Sequence, residues 1–140
     1  MSYSDMGRNI ERAQSIAPAA ITATTTGEEV DLSGVLDCMI LVDVGVISAA
    51  DANNYMTFTV TQATATGGSF SAADSAQYGA IDSWDLVLNA TTEGSQTYAF
   101  NFFPKADYPI IKVVATETST FDGIFGATAL FTKTTQPANS

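Results

Sequence analysis

The stretch GEEVDLSGVLDCMILVDVGVI, from Gly27 to Ile47, decides the fold of this chain. Its five carboxylates are Glu28, Glu29, Asp31, Asp37 and Asp43. Three interpretations compete: a metal or catalytic site, a membrane segment, or a strand of a structural protein. The apolar run from Cys38 to Ile47 is about half the ~20 residues that a membrane-spanning helix requires, and Asp43 interrupts it. The membrane interpretation is therefore rejected.

Apolar residues in this run recur with the two-residue period of a β-strand. One face of the predicted strand carries Ile40, Val42, Val44 and Val46, and the other carries Met39, Leu41 and Ile47. Because both faces are largely apolar, we expect a strand that is covered on both sides. The carboxylates then lie in a preceding loop and on strand surfaces, exposed to solvent, and do not form a site.

The same alternation continues to the end of the chain, with Gly, Asn, Asp and Pro between the segments. It predicts further strands around residues 55–61, 84–89, 97–102, 110–116 and 124–131, and weaker ones around 21–25 and 28–32. No long stretch of this body has the helical period. The pattern therefore predicts an all-β fold: an antiparallel two-sheet β-sandwich, jelly-roll-like, with an N-terminal arm.

Three segments are predicted along the chain. Residues 1–27 form an N-terminal arm, extended or with a short helix that begins near Ser4 or Asp5, since both residue types cap helices. Residues 28–133 form the β-sandwich domain, and residues 134–140 form a polar C-terminal tail. The arm differs in charge and pattern from the body, and we expect it to order on a neighbouring subunit.

Composition narrows the function classes. The 140-residue chain is long enough for one domain with one core. Its net charge is −10, and no Lys or Arg occurs between Ala13 and Pro104. Nucleic-acid binding and attachment to an anionic membrane both need cations, so we expect neither partner. The charge suits a particle that resists non-specific association.

The sequence contains few of the residue combinations that enzymes use for catalysis. The chain has no His, so a nucleophilic triad lacks its base, and the single Cys38 is expected to be a buried, inert thiol. Asp82 and Asp85 point to opposite faces of a strand, which is a poor arrangement for a glycosidase pair. The segment Asp51–Asn54 is expected to be a turn rather than a calcium loop. We expect no enzyme activity, no metal and no cofactor.

Aromatic residues alternate in the predicted strand at residues 97–102. Tyr98, Phe100 and Phe102 share one strand face, and we expect them to be core residues rather than a sugar-stacking platform. Phe103 falls on the opposite face and is the better candidate for an interface.

Several short motifs, in order, resemble a family of phage head proteins, the capsid decoration or cement proteins. They are Val30-Asp31-Leu32-Ser33-Gly34, Thr57-Phe58-Thr59-Val60, Ser69-Phe70-Ser71, Tyr108 to Thr116, and a final Gly-containing strand from Ile124 to Phe131. The resemblance covers roughly Gly27 to Lys133. It implies a β-sandwich on the outside of an icosahedral capsid, assembled in the host cytoplasm, as a homotrimer at local threefold positions.

The resemblance also implies the partners: the major capsid protein and other copies of this chain. We expect Arg8, Arg12 and Ile16 of the arm, together with Phe103, to make the partner contacts. Two other functions stay open at this point. One is a tail, neck or fibre-associated β-domain of a virion, and the other is a carbohydrate-binding module.

Overall fold

The computed structural model describes residues 10–78 and 86–133. Ten strands lie in these ranges: β1 Glu11–Ile21, β2 Thr25–Thr26, β3 Val30–Asp31, β4 Val35–Ala49, β5 Tyr55–Ala63, β6 Ser71–Ala72, β7 Leu86–Leu88, β8 Gln96–Phe102, β9 Ile110–Thr118 and β10 Asp122–Lys133. Two single 3-10 turns complete the described secondary structure, at Ser75–Tyr78 and Thr91–Glu93. The all-β prediction is confirmed, and the predicted strand segments coincide with strands where the structure describes them, except that residues 22–24 of the weaker segment 21–25 lie between β1 and β2. Residues 84 and 85, the start of one predicted segment, lie outside the described residues.

All strand pairs are antiparallel, and they form two sheets. The first sheet has the order β1-β10-β4-β8. In the second sheet, β9 and β5 lie side by side, with β2 and β3 along the free edge of β9 and β6 and β7 along the free edge of β5.

Strand order identifies the topology. If β2 and β3 are counted as one strand and β6 and β7 as another, the chain has eight strands in its described residues. When these eight are numbered in chain order, the strand orders of the two sheets are 1-8-3-6 and 2-7-4-5. Strand 1 then pairs with 8, 2 with 7, 3 with 6 and 4 with 5, which is one long antiparallel hairpin rolled into two sheets. This nesting is the jelly roll, and the predicted sandwich is confirmed.

The core lies between the two sheets and is rich in aromatic rings. The Phe58 and Phe125 rings meet edge to face with centroids 4.8 Å apart, and Phe121 lies 6.2 Å from Phe125. Tyr78 closes one side of this core, where its ring packs 5.6 Å from Phe102. Its hydroxyl accepts a hydrogen bond from the Val60 N–H at 3.1 Å, so the phenol is buried without losing its polar partner.

The VDLSG segment turns the chain into the first sheet. Val30 and Leu32 are both buried, while Asp31 between them is exposed. The Asp31 carboxylate accepts hydrogen bonds from the N–H and the hydroxyl of Ser33, at 2.9 and 2.6 Å. Gly34 then adopts φ +78°, a conformation that glycine reaches without strain. Asp31 is thus a turn-forming residue, as expected of these carboxylates.

The N-terminal segment requires a correction. Within the described residues, Glu11–Ile21 is strand β1, which pairs along its length with β10 at the edge of the first sheet. Ile16 and Ile21 belong to the core. The predicted boundary at residue 27 therefore falls inside the sandwich. The start of the predicted short helix lies outside the described residues, and residues 11–16 are extended. Pro18 and two register shifts in β1 obscured the alternation that would have predicted this strand.

Ser15 joins β1 to the second sheet. Its side chain is buried, its hydroxyl donates to the Glu28 carbonyl at 2.9 Å, and it accepts from the Val113 N–H at 3.0 Å. The Glu28 N–H in turn donates to the Ser15 carbonyl at 2.6 Å. Gly27 lies so close to the Ser15 hydroxyl that a Cβ there would collide with it. This set of contacts, here the Ser15 latch, holds the two sheets together where the chain crosses between them.

Strand β4 contains a bulge that re-aims its side chains. Val44 pairs with Phe125 and Ile47 pairs with Gly123. Between these two pairs β4 therefore contains one residue more than β10. Beyond the bulge the alternation shifts by one position. Ile47 is therefore buried and Val46 is 60% exposed, whereas the sequence pattern predicted that Val46 would follow Val44 into the core.

Candidate functional site: an apolar outer face on the first sheet

The candidate site is the surface of the first sheet that faces away from the core. We call it the outer face and define it by the side chains of Met39, Leu41, Ala99, Ile124, Thr128 and Leu130. Cross-strand pairing sets them in rows: Leu130, Met39 and Asn101 lie side by side on β10, β4 and β8, and Thr128, Leu41 and Ala99 form the next row. These two rows are largely apolar, and the next row along the sheet contains Gly126, Asp43 and Thr97.

Within residues 10–78 and 86–133, strand β4 is covered on one side only. Ile40 and Val42 are completely buried between the sheets, but Met39 on the opposite side is 39% exposed and Leu41 is half-buried. The sequence prediction of a strand covered on both sides is therefore met on one side only among the described residues. The apolar residues that motivated it are present, and no described element of this chain packs over them.

The second sheet is different on its outward side. There β5 presents three half-buried threonines, Thr57, Thr59 and Thr61. Their partners on β9 are Thr116, Val114 and Lys112 in that order. Hydroxyl groups and one cation make this surface suitable for contact with water. Among the described residues, the large apolar side chains that are exposed lie on or beside the first sheet instead: Ile10, Met39, Val46, Phe103 and Ile124.

A hollow of about 260 Å³ marks one end of the outer face. Ile10, Met39 and Leu130 contribute apolar walls, and Asn101 and Thr132 contribute polar atoms at the rim. Ile10 is 46% exposed, although it is a large apolar residue. The hollow is large enough to receive one or two apolar side chains from a neighbouring molecule.

Two glycines lie under neighbouring side chains on the outward side of the first sheet. The Pro18 ring of β1 occupies the place where a side chain on residue 126 would project, so Gly126 is buried under it. Gly45 in the β4 bulge is likewise overlaid by Ile124, whose Cβ lies 3.2 Å from the position of a Cβ at residue 45. Neither glycine has room for a side chain of its own, because Pro18 and Ile124 occupy that space.

Few charges interrupt this surface. Asp43 is exposed in its middle, and its carboxylate accepts a 2.6 Å hydrogen bond from the Thr97 hydroxyl. Arg12 is exposed on the β1 edge, opposite Leu130, and the half-buried Asp122 lies at the far end, where β10 begins. One cation therefore accompanies the carboxylates here, in a chain whose net charge is −10.

The four residues that were predicted to contact a partner do not lie together in the structure. Arg8 lies outside the described residues. Arg12 is exposed on the edge of the first sheet, next to the outer face. Ile16 is 3% exposed and packs in the core, so it is a core residue rather than a partner contact. Phe103 is 40% exposed beyond the end of β8.

Phe103 is held in place through its backbone. Its N–H donates to the Gln77 carbonyl at 2.8 Å, and its carbonyl accepts from the Gln77 side-chain amide at 3.1 Å. Nearby, Lys105 forms an ion pair with Asp74, and this hydrogen-bonded carboxylate raises the pKa of the Lys105 ammonium. The backbone bonds fix the position of the Phe103 ring, while the ring stays partly open to solvent.

The predicted turn at Asp51–Asn54 is confirmed. The Asp51 carboxylate accepts from the Asn53 N–H at 2.8 Å and from the Asn54 side-chain amide at 2.9 Å. These donors stabilise the charged carboxylate and lower its pKa from 3.8. Across residues 10–78 and 86–133, no group of three His, Cys, Asp or Glu side chains is placed to hold a metal ion. Cys38 is buried, as expected, and Asp82 and Asp85 lie outside the described residues.

The aromatic row of β8 belongs to the core. Phe102 is completely buried, Phe100 is 7% exposed and Tyr98 is half-buried. The Tyr98 hydroxyl donates to the Glu93 carbonyl at 2.8 Å, and burial, with a smaller effect of the Glu93 charge, raises the pKa of its phenol. These rings therefore present no stacking surface to a sugar. The helices in the described parts of the chain are single 3-10 turns, and none is long and apolar enough to span a membrane.

Comparisons with known proteins return structural similarity only. No protein-family model matches the chain, and no curated protein sequence matches it. Among solved structures, the pilus protein of Bacillus endospore appendages is 12% identical, with a TM-score of 0.42, over 89% of this chain and 88% of that one.

Two virus structures also align. A protein of infectious bursal disease virus strain Gx is 8% identical with a TM-score of 0.48, over 91% of this chain and 33% of that one. A protein of the empty top component of cowpea mosaic virus is 12% identical with a TM-score of 0.39, over 88% of this chain and 84% of that one. The chain thus spans about a third of the first viral protein and most of the second. At these identities the likeness concerns the fold and assigns no function.

Proposed function

We propose that this protein is a non-enzymatic structural component of a phage virion. It binds the outside of the capsid and stabilises the shell by bridging neighbouring major capsid protein subunits. The observation that carries the proposal is the open outer face of the first sheet. Met39, Leu41 and Leu130 lie on a surface over which no described element of the chain packs, and such surfaces in soluble proteins mark interaction sites.

The physical role of this surface is to supply apolar contact area. Each 100 Å² of apolar surface removed from water favours association by about 2.5 kcal/mol before the costs of association are subtracted. One small contact is weak by itself. Copies that lie side by side on a shell hold one another in place, so several weak contacts together give stable attachment.

Stabilisation of the shell follows from linkage. A ligand that binds the assembled capsid but not its dissociated subunits stabilises the assembly by RT ln(1 + [L]/Kd), which is about 2.7 kcal/mol per site at a hundredfold excess over Kd. No bond is made or broken in this role, so it requires no catalytic group. The proposed partners are the major capsid protein and other copies of this chain, as a homotrimer. The proposed location is the capsid exterior, after assembly in the host cytoplasm.

Co-sedimentation with capsids tests the proposal. Heads of the encoding phage are prepared without this protein, mixed with increasing amounts of it, and pelleted. We expect binding that saturates at a fixed ratio to the major capsid protein. Protein that stays in the supernatant at every concentration overturns the proposal. Saturation as a hexameric ring on tails, with none on heads, assigns the protein to the tail instead.

Matched variants connect this binding to the outer face. The double variant Met39→Gln, Leu130→Gln changes a cross-strand pair on the first sheet. Its control, Thr59→Gln, Val114→Gln, changes a cross-strand pair on the outward side of the second sheet. Both keep the net charge. We expect the first to lose capsid binding and the second to retain it.

A further inference from the structure

We propose that the free edge of strand β8 receives an extended segment of the major capsid protein, which adds to the four-stranded first sheet as a further strand. The identity of the partner rests on the proposed function; the surface that it meets and the form in which it binds are new. Backbone groups make most of such a contact, as in other complexes where a peptide extends a sheet. Three features of the described residues carry the proposal: the condition of the sheet edges, the direction of the β8 backbone groups, and the charges beside them.

The sheet edges differ in how well they are protected from strand addition. Proteins protect edges with short strands, charges, proline or bulges. Strand β1 contains Pro18 and two register shifts, and it begins with Glu11 and Arg12. In the second sheet the edge strands β2, β3, β6 and β7 have only two or three residues each. These edges therefore offer little regular backbone to an added strand.

Strand β8 has none of these protective features. Its sequence from Gln96 to Phe102, QTYAFNF, has seven residues and contains no charge, proline or glycine. Its register with β4 is continuous from one end to the other, so no bulge turns the strand away from a partner. A regular, uncharged edge of this length is the kind of edge with which an extended segment pairs.

The backbone of β8 shows which groups are open to a partner. In an antiparallel pair, alternate residues point their N–H and C=O toward the neighbouring strand, and the residues between them point away. Phe103, just beyond β8, has both groups turned away from β4: its N–H donates to the Gln77 carbonyl at 2.8 Å, and its carbonyl accepts from the Gln77 side-chain amide at 3.1 Å. Thr97, Ala99 and Asn101 follow the same alternation and direct their N–H and C=O groups to the edge. No described strand pairs with that edge.

Gln77 limits the open part of the edge. It is 4% exposed, and its side-chain amide also donates to the buried Gln62 at 2.9 Å, so the 3-10 turn Ser75–Tyr78 is fixed beside the end of β8. Gln77 bonds to the Phe103 backbone in the way that a further strand would. The open part runs from Thr97 to Asn101, which at ~3.3 Å per residue is about 17 Å and pairs with about five residues of a partner.

Charges beside the edge select the occupant. At one end, Asp43 is exposed and accepts from the Thr97 hydroxyl at 2.6 Å, and Glu93 lies close enough to Tyr98 to accept from its hydroxyl through its carbonyl. At the other end, Lys105 is already paired with Asp74. A segment with Lys or Arg beside Asp43 is therefore favoured. A second copy of this chain, with its net charge of −10, brings further carboxylates to the same place and is disfavoured.

Side-chain contacts follow from the position of β8 beside the outer face. Ala99 lies in one row with Leu41 and Thr128, and an added strand lengthens this row by one residue. On its other side the added strand meets the half-buried ring of Tyr98. The expected segment is therefore extended, carries apolar residues at alternate positions, and has a cation near one end.

Hydrogen exchange of the protein bound to heads of the encoding phage tests this contact without any variant. In the free protein the Thr97, Ala99 and Asn101 amides have no strand partner and exchange fast, whereas those of Tyr98 and Phe102 bond to β4 and are protected. On heads we expect the first three to exchange about tenfold more slowly or less, and the other two to stay unchanged. Bound protein in which the first three amides exchange as fast as before overturns the inference.

Ala99→Pro blocks the edge in a second experiment. Proline removes the N–H at the centre of the open part, and edge strands tolerate it where that N–H faces away from the sheet. The control, Ala52→Pro, places proline at an exposed turn position whose φ is not positive, which suits proline. In co-sedimentation we expect Ala99→Pro to raise the Kd for heads by about tenfold or more, and Ala52→Pro to leave it unchanged. Equal Kd values for the two variants contradict the inference, and the exchange experiment decides if Ala99→Pro does not fold.

The outcomes distinguish this proposal from the proposed function and from another occupant. If wild-type protein stays in the supernatant, the proposed function is wrong and this inference falls with it. If wild-type protein binds heads while the β8 amides stay unprotected, the proposed function stands and only this inference is wrong. Sedimentation equilibrium of the free protein covers a second copy: oligomers that Ala99→Pro dissociates and Ala52→Pro keeps would assign the edge to another copy of this chain and overturn the inference.

Discussion

Substitution of Ser15 by alanine tests the Ser15 latch. The wild-type hydroxyl is the partner of the Val113 N–H, at 3.0 Å, on a strand where Val113 is 1% exposed. In Ser15→Ala this buried N–H loses its acceptor, and an unsatisfied buried donor costs about 1 to 3 kcal/mol. The Glu28 carbonyl also loses its donor, but Glu28 is exposed and its carbonyl can accept from water. We therefore expect the free energy of unfolding to fall by about 1 to 3 kcal/mol, from the Val113 amide alone.

Urea denaturation measures this loss. We expect a lower midpoint with an unchanged slope, since the substitution alters stability and not the surface exposed on unfolding. Ser48→Ala is the control, because Ser48 is exposed on β4 and such surface changes stay within about 0.5 kcal/mol. Hydrogen exchange gives a local readout: the Val113 amide loses protection in Ser15→Ala. A loss of stability no larger than that of Ser48→Ala, with the Val113 amide still protected, would refute the account of the latch.

Three further predictions concern the core, the outer face and one carboxylate. Phe58→Ala removes a fully buried ring that packs on Phe125, and we expect urea denaturation to show a loss of about 3 to 5 kcal/mol; a loss under about 1 kcal/mol would contradict the described core. Gly126→Ala places a methyl group against Pro18, and we expect a loss of about 1 to 3 kcal/mol in the free energy of unfolding from overpacking. No loss would mean that the Pro18 ring does not lie over Gly126 as described. The pKa of Asp51 lies below 3.8, so its stabilising turn contacts persist above that pH and disappear as the pH falls through the folded-state pKa. Carbon-detected NMR titration should show that pKa rising in Asn54→Ala, and an unchanged pKa would exclude the Asn54 amide as a cause.

The strands were predictable because alternation is a local property. Phe58 and Val60 on β5, and Phe100 and Phe102 on β8, point to the core as their spacing predicts. The pairing of those strands was not predictable, because alternation says which face a side chain lies on and nothing about its neighbour. Jelly-roll topology depends on that pairing and became visible only in the strand order.

Two differences between the sequence prediction and the structure come from β-bulges. Val46 was predicted to share a strand face with Val44, but one extra residue in β4 turns it outward. Register shifts in β1 likewise hid the core position of Ile16, so a strand was interpreted as an arm. A bulge is defined by the partner strand, and a single strand's pattern carries no record of the partner.

The candidate site was not predicted from the sequence. Met39 and Leu41 were recognised as apolar residues on the second face of a strand, but that face was expected to be covered and was not interpreted as a site. The exposure of a strand face depends on which elements the fold places above it, and the pattern of one strand does not record those elements. Ser15 gave no signal at all, since one serine among many polar residues acquires its role only when Val113 and Glu28 come beside it. The predictions for Arg8 and for the tail, residues 134–140, concern chain outside the described residues.

The thermal stability of capsids tests the central claim most directly. Heads of the encoding phage that lack this protein are titrated with it, and the temperature at which they open and release DNA is followed with a DNA-binding dye. The account predicts that this temperature rises with added protein, levels off at saturation, and fails to rise with Met39→Gln, Leu130→Gln. An opening temperature that stays constant while the protein is bound to the heads would contradict the claim that it stabilises the shell.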